Sequence, residues 1–172
     1  MEDQPYFEQV TFSEQDFTSH DFSGHVYRNC TFQQCNLTNV ILKQTRFQEV
    51  FFKGCKILGL LFSECNPFLL GMKFEDCHIS TSVFSDQKLT GTSFLRCRIH
   101  ECDFINTDLT EAIFEGSDLE KSVFENTNLS MASFVGADNY FFDPNKNTLK
   151  KTKLSLPGAL SLLYVFDVII EL

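Results

Sequence analysis

Tryptophan is absent from this 172-residue chain, proline occurs only 4 times, and 20 phenylalanines supply most of the aromatic content. A generic core spreads its volume over Leu, Ile, Val and Phe, so dependence on one aromatic implies a single structural position filled repeatedly. Positive charge is also scarce: 14 Lys and Arg stand against 23 Asp and Glu, a formal net charge of −9. That deficit excludes direct binding to nucleic acid, which needs a basic face to displace counterions, and binding to anionic membrane surfaces. No run approaches the roughly 18 apolar residues needed to span a bilayer. The opening segment Met1–Pro5 is acidic and lacks the basic and apolar regions of a signal peptide. Seven cysteines is an odd number, and without a secretion signal a disulfide framework is a poor account of them. The expected compartment is the cytoplasm.

What is present is a period. Reading from Phe7, an apolar residue returns every five positions through Phe12, Phe17, Phe22, Tyr27, Phe32, Leu37, Leu42, Phe47, Phe52, Ile57 and Phe62. It resumes at Phe74 and runs to Phe134. Five matches neither the helical period of 3.6 nor the strand period of 2. Two positions before most of these centres stands a small or β-branched residue, as at Val10, Cys30, Cys35, Thr45, Cys55, Ser82, Cys97, Ala112, Ser122 and Thr127. The residue between is usually polar, as at Asn36, Asp103, Asp108, Asp118 and Asn128.

In an extended segment, residues two apart share one side and the residue between points away. Each repeat is therefore a small–polar–large bridge with both flanking side chains inward, followed by a two-residue corner. Four repeats with corners near 90° close a square coil of twenty residues, and coils stack by parallel ladder bonds. The expected fold is all-β: a right-handed quadrilateral parallel β-helix with a short C-terminal helix and strand. Residues twenty apart should then stack, which places Phe74, Phe94, Phe114 and Phe134 in one column, Phe84, Phe104 and Phe124 in another, and Leu89, Leu109 and Leu129 in a third.

The interval from Phe62 to Phe74 is two residues too long, so 65–73 must bulge, with Leu69 expected as the displaced centre. The solenoid is expected over 1–137 and a dimerisation or capping segment over 138–172. In that segment 138–154 is turn-rich and then basic, Ser155 caps a short helix through about Phe166, and Val168–Ile170 favours extended structure. The tail is apolar nearly all round, including Leu160, Leu163, Phe166, Val168 and Ile170, so a second chain is the economical partner and a homodimer is expected.

Candidate chemistry is thin. Cys97, His100 and Cys102 form the best metal-like cluster, but spacing by five places neighbouring cysteines on different walls, and free Cys packs as a small hydrophobe. His20 and His25 fall on inward positions in the first coils, where imperfect packing near an exposed end accounts for them. No Ser, His and Asp are placed as nucleophile and base around a pocket. No catalytic site, cofactor or metal is expected.

The repeat itself resembles the pentapeptide-repeat family, whose pattern is A(D/N)LXX with Leu or Phe at the centre; CDFINTDLTEAIFEGSDLEKSVFENTNLSMASF is the cleanest stretch. The resemblance covers roughly Pro5 to Ala137 and implies the square solenoid. The order of features is similar to the quinolone-resistance members, which implies a duplex-DNA mimic that binds DNA gyrase or topoisomerase IV and dimerises through its C-terminal segment. Those members carry long loops linked to protection of the enzyme; here only the two-residue insertion corresponds.

The acids would carry such a role. Between Glu101 and Asp143 ten acids face one base, Lys121, whereas 28–100 holds nine bases against five acids. The expected partner-binding residues are Asp103, Asp108, Glu111, Glu115, Asp118, Glu120 and Glu125. About 6.5 coils at about 4.8 Å make a rod of roughly 31 Å. Nine net charges over that length is about one per 3.4 Å, near half the axial density of duplex DNA. Solubility of the rod, or a scaffold that binds some other protein, is the competing account of the same charge.

Overall fold

The computed structural model describes residues 5–169. Strands of two to four residues pair in parallel with partners one coil away, giving a β-solenoid of about seven turns. Along one wall the ladder aligns Phe12 with Phe32, Phe32 with Phe52, Phe52 with Phe74 and Phe74 with Phe94. The next wall aligns Ile57, Ile79 and Ile99. A third is tied by single bridges from Leu61 through Val83 and Asp103 to Val123, and the fourth begins with Phe7, Tyr27 and Phe47 in register. These are called below the Phe94, Ile99, Phe104 and Leu109 walls.

The core follows from the columns. Phe94 lies 4.9 Å from Phe74 and 5.0 Å from Phe114, with rings within 3° of parallel. Phe104 stacks in the same way between Phe84 at 4.9 Å and Phe124 at 5.0 Å. The two stacks face each other from opposite walls, and their rings meet edge to face, at 5.9 Å and 87° for Phe94 and Phe104. That is a favoured arrangement for ring quadrupoles. Ile99 and Leu109, both fully buried, complete the same coil.

The slim position has a second task beyond leaving room. Its hydroxyl or thiol donates to the carbonyl of the centre residue in the coil below: Ser117 Oγ to Phe94 at 2.8 Å, Ser122 Oγ to Ile99 at 2.8 Å, Cys55 Sγ to Phe32 at 3.2 Å. Ser117 and Ser122 also accept from the N–H groups of Cys97 and Cys102. Buried backbone groups at the corners are thereby satisfied.

Nearly every corner contains a residue in the left-handed region, from Gln9 and Glu14 through Thr81, Glu101 and Met131; Phe62–Glu64 forms a 3-10 turn instead. Gly24, Gly54, Gly91 and Gly116 fill some of these corners without a Cβ penalty. Thr81, β-branched at φ 49°, is the least suited of them.

The bulge differs from expectation. Leu69 adopts φ 56° and is 65% exposed, so it turns the chain instead of filling the core. Leu70 is the residue that packs against the core. The Phe column stays aligned across the break, with Val50 paired to Met72 and Phe52 to Phe74. Gln87 compensates one coil above: buried, it reaches down to donate to the Ser63 carbonyl at 3.0 Å.

The ladder also outlasts the sequence period. Asn128 bridges Thr148, Phe134 pairs with Leu154, and Thr152 donates to the Leu129 carbonyl at 2.7 Å, so 138–154 lies as a partial further coil. Phe142 and Tyr140 close the core over Phe134. Helix α1 (Leu156–Ser161) continues as a tighter 3-10 turn over Leu162–Phe166 and stops at Asp167, φ 52°. Ser155 stands at the cap position, but its side chain makes no cap hydrogen bond there. A Cβ on Gly158 would lie 2.0 Å from the Tyr140 hydroxyl, so glycine is what lets the helix settle on the last coil. Val168 and Ile169 form no strand, and Ile170 lies outside the described residues.

Two stability changes test this packing by urea unfolding. Phe94→Ala should cost about 3–5 kcal/mol, because it cuts one stack and two edge-to-face contacts at once. Thr81→Asn should add about 0.5 kcal/mol by relieving a β-branched residue in the left-handed region.

Candidate functional site

A filled tube leaves its chemistry outside. The cysteines Cys30, Cys35, Cys55, Cys65, Cys77, Cys97 and Cys102 are all buried and unpaired. Cys97 and His100 do not converge: the Cys97 thiol donates to the Leu95 carbonyl, while the His100 ring faces outward to Asp118. Burial pushes the Cys102 thiol up to about 12 from an ordinary value near 9. Of the early histidines, His20 is exposed beside the open end rather than inward, and His25 is half-buried against Phe22 and 3.1 Å from the Tyr27 hydroxyl. Among the described residues, no Ser, Thr or Cys side chain is hydrogen-bonded to a histidine ring; the ring contacts are with the Thr18 carbonyl, the Tyr27 hydroxyl and Asp118. The surface depressions are shallow; one of about 440 Å³ lies under α1 between Tyr140, Ser155 and Gly158.

The seven expected partner-binding acids are all half-buried or exposed, but they do not share a wall. Asp103 stands on the Phe104 wall and Asp108 in the bridge column 88–108–128 of the Leu109 wall. Glu111 occupies a left-handed corner, and Glu115 follows Phe114. Asp118 belongs to the Ile99 wall through its bridge to Arg98, with Glu120 two residues beyond it. Glu125 follows Phe124 on the Phe104 wall. The acids therefore ring the rod.

They also divide by role. Asp108 accepts from the N–H of Thr110 at 3.0 Å and from its hydroxyl at 2.6 Å, bracing the corner. The same brace links Asp16 to Thr18, Asp21 to Ser23 and Asn128 to Ser130. Burial raises the Asp108 carboxyl, but the Thr110 hydrogen bonds outweigh it and hold the group below its ordinary value. Glu125 is paired with Lys146 at 2.9 Å. Within the described residues Glu111 and Glu115 have no ion-pair partner, and that of Glu120 is Lys121, at 3.5 Å. Asp118 and Glu120 approach His100, whose Nε2 lies 2.8 Å from Asp118 Oδ2. Asn139 donates to the other Asp118 oxygen at 2.8 Å.

Among the described residues, three of the nine bases of the middle coils form ion pairs, Arg28 with Glu8 at 3.7 Å among them. Lys53 and Arg96 both reach Glu75, at 3.2 and 3.1 Å, and Arg96 also binds Asp76 at 2.8 Å. The sequence period could have revealed the grouping of His100 with Glu120, which lie twenty residues apart and so in one column; comparing His100 with the nearest cysteines hid it.

The expected dimer residues separate as well. Leu162 is buried on the last coil and Leu160 half-buried, whereas Leu163, Phe166 and Val168 are exposed, together with Leu156, Tyr164 and Ile169. The segment thus covers the coil with one side and leaves the other apolar and open. Among the described residues, no helix is long and apolar enough to cross a membrane.

A family model described as a pentapeptide repeat region matches residues 62–134, and one of eight pentapeptide repeats matches 28–57. Among solved structures, QnrB1, a plasmid-mediated fluoroquinolone resistance protein, is 15% identical, covering 96% of this chain and 90% of its own at a TM-score of 0.57. HetL, a pentapeptide repeat protein involved in heterocyst differentiation regulation from the cyanobacterium Nostoc sp., is 14% identical over 87% of this chain and 85% of its own, with a TM-score of 0.51. Both likenesses establish the fold. No curated protein matches the chain in sequence.

The buried thiols predict an alkaline limit to stability. Above pH 9 the unfolded chain loses thiol protons that the folded chain keeps, so stability should fall progressively toward pH 12. Cys102→Ala should flatten part of that slope in melts at pH 8 to 11. An unchanged slope would show that the thiol is not the titrating group.

Proposed function

This chain belongs to the pentapeptide-repeat family, and we propose that it acts as a DNA mimic that occupies the duplex-binding surface of a type II topoisomerase, DNA gyrase or topoisomerase IV. The observation that carries this reading is the ring of acids over the last regular coils. Seven carboxylates, Asp103, Asp108, Glu111, Glu115, Asp118, Glu120 and Glu125, surround a straight rod within a stretch that contains a single base. Phosphates also surround a duplex on all sides, so acids distributed over several walls suit a saddle that grips from two sides better than one acidic wall would. The fold likeness to a fluoroquinolone resistance protein is consistent with the same partner class.

In this reading two copies join through the exposed side of the C-terminal segment, with Leu163, Phe166 and Val168 at the contact, and the rods point apart. Such a dimer has twice the 19.8 kDa mass of the chain. Leu163→Glu with Phe166→Glu should convert it to monomer in light scattering. A monomeric wild type at micromolar concentration would remove the dimer from the proposal.

The alternative is a scaffold whose flat walls bind another protein. It is favoured by the corner bracing at Asp108, which gives that acid a structural duty, and by the comparable fold likeness to a differentiation regulator. Gyrase supercoiling assays decide between them. Wild type should inhibit supercoiling at micromolar concentration, less so as salt rises. Glu111→Gln, Glu115→Gln and Glu120→Gln together should weaken inhibition about 10- to 100-fold, since like contacts to a basic saddle are worth roughly 0.5–1 kcal/mol each. Asp108→Asn keeps the turn acceptor while removing charge, so it separates the two roles. No inhibition by wild type would leave the scaffold.

A further inference from the structure

We propose that His100, Asp118 and Glu120 form a surface site for a divalent transition ion of the zinc class. One ligand atom from each of these residues lies within 4.8 Å of the others. Ligands bound to one ion at about 2.1 Å stand roughly 3.0–3.4 Å apart in octahedral or tetrahedral arrangements. His100 Nε2 and Asp118 Oδ2, at 2.8 Å, are already close to that spacing. Glu120 is exposed and needs only a side-chain rotation to close the third position.

The backbone beneath is rigid. His100 ends a strand whose Arg98 bridges Asp118, and the N–H groups of Ile99 and Glu101 donate to the carbonyls of Asp118 and Glu120 at 2.7 and 3.0 Å. Asn139 holds the far oxygen of Asp118, which leaves Oδ2 directed at the ring, the outer support that ligating carboxylates commonly have. An imidazole with two carboxylates suits zinc, nickel or cobalt; calcium and magnesium prefer oxygen alone. Lys121 competes for Glu120 at 3.5 Å, yet it reaches Glu101 at 3.8 Å and can remain there when Glu120 turns to the ion. The remaining coordination positions face solvent and take water.

The site stands independently of the topoisomerase reading, because ion binding is measured on this protein alone. Zinc chloride titrated calorimetrically into the full chain under reducing conditions should bind one ion per chain. His100→Ala and Glu120→Gln should each weaken binding more than about tenfold, with unfolding curves in metal-free buffer unchanged, and excess magnesium should not compete. Absence of binding at millimolar zinc overturns the proposal. Equal affinity in His100→Ala also overturns it, by placing the ion elsewhere, and full competition by magnesium does so by removing the need for the imidazole.

Discussion

The cross-section of the tube governs everything else. Coils rise by one strand spacing, and each must fill the same square with four large side chains and four slim ones. The regular coils meet that volume with two rings at right angles and two aliphatics, as in Phe94, Ile99, Phe104 and Leu109. Repeating the set lets each ring lie over its equivalent at 4.9 to 5.0 Å. The first coil departs from the rule: it carries four rings, Phe7, Phe12, Phe17 and Phe22, and the first three of them are only partly buried. An end coil has a neighbour on one side only, so the constraint on it is weaker.

Slimness alone does not explain which residues occupy the minor inward position. Alanine and valine satisfy the space, yet Cys, Ser and Thr recur there, and each can donate to a carbonyl that the corner would otherwise bury. The position selects for small size with a donor. Cysteine meets both requirements in a tight apolar wall, which accounts for six of the seven thiols, Cys30, Cys35, Cys55, Cys77, Cys97 and Cys102, without invoking metal, disulfide or catalysis.

The solenoid was legible because its signal is long-range and repeated: twenty-residue columns test one another. What the period could not show lies where it stops. At the bulge, the sequence offers both Leu69 and Leu70, and only the left-handed turn at Leu69 decides which faces inward. After Phe134, Leu149 and Leu154 keep the five-residue phase while Asn139 and Pro144 do not, so the last coil reads as irregular although its ladder persists. Of the surface, the acids were visible one by one, but their distribution over different walls is a property of the closed coil. The approach of His100 to Asp118 joins neighbouring rungs on a diagonal that no single column contains.

Surface charge on such a rod is not free to go anywhere. The outward residue before each centre must tolerate an extended wall, and Asp or Asn there gains a turn bond to the next corner, as at Asp108 and Asn128. Fold stability therefore favours a carboxylate or amide at some of these outward positions before any partner is considered, and there Asn braces as well as Asp. The choice between them is set by something other than the corner. Residues 16 and 21 are Asp and 36 is Asn; the bases gather in the middle coils, where Arg96 and Lys53 close onto Glu75. In the last regular coils Asp returns at 103, 108 and 118, joined by Glu at corners where no turn bond requires it. Glu111, Glu115 and Glu120 are thus the acids that the fold does not explain, and a functional account of the surface has to begin with them.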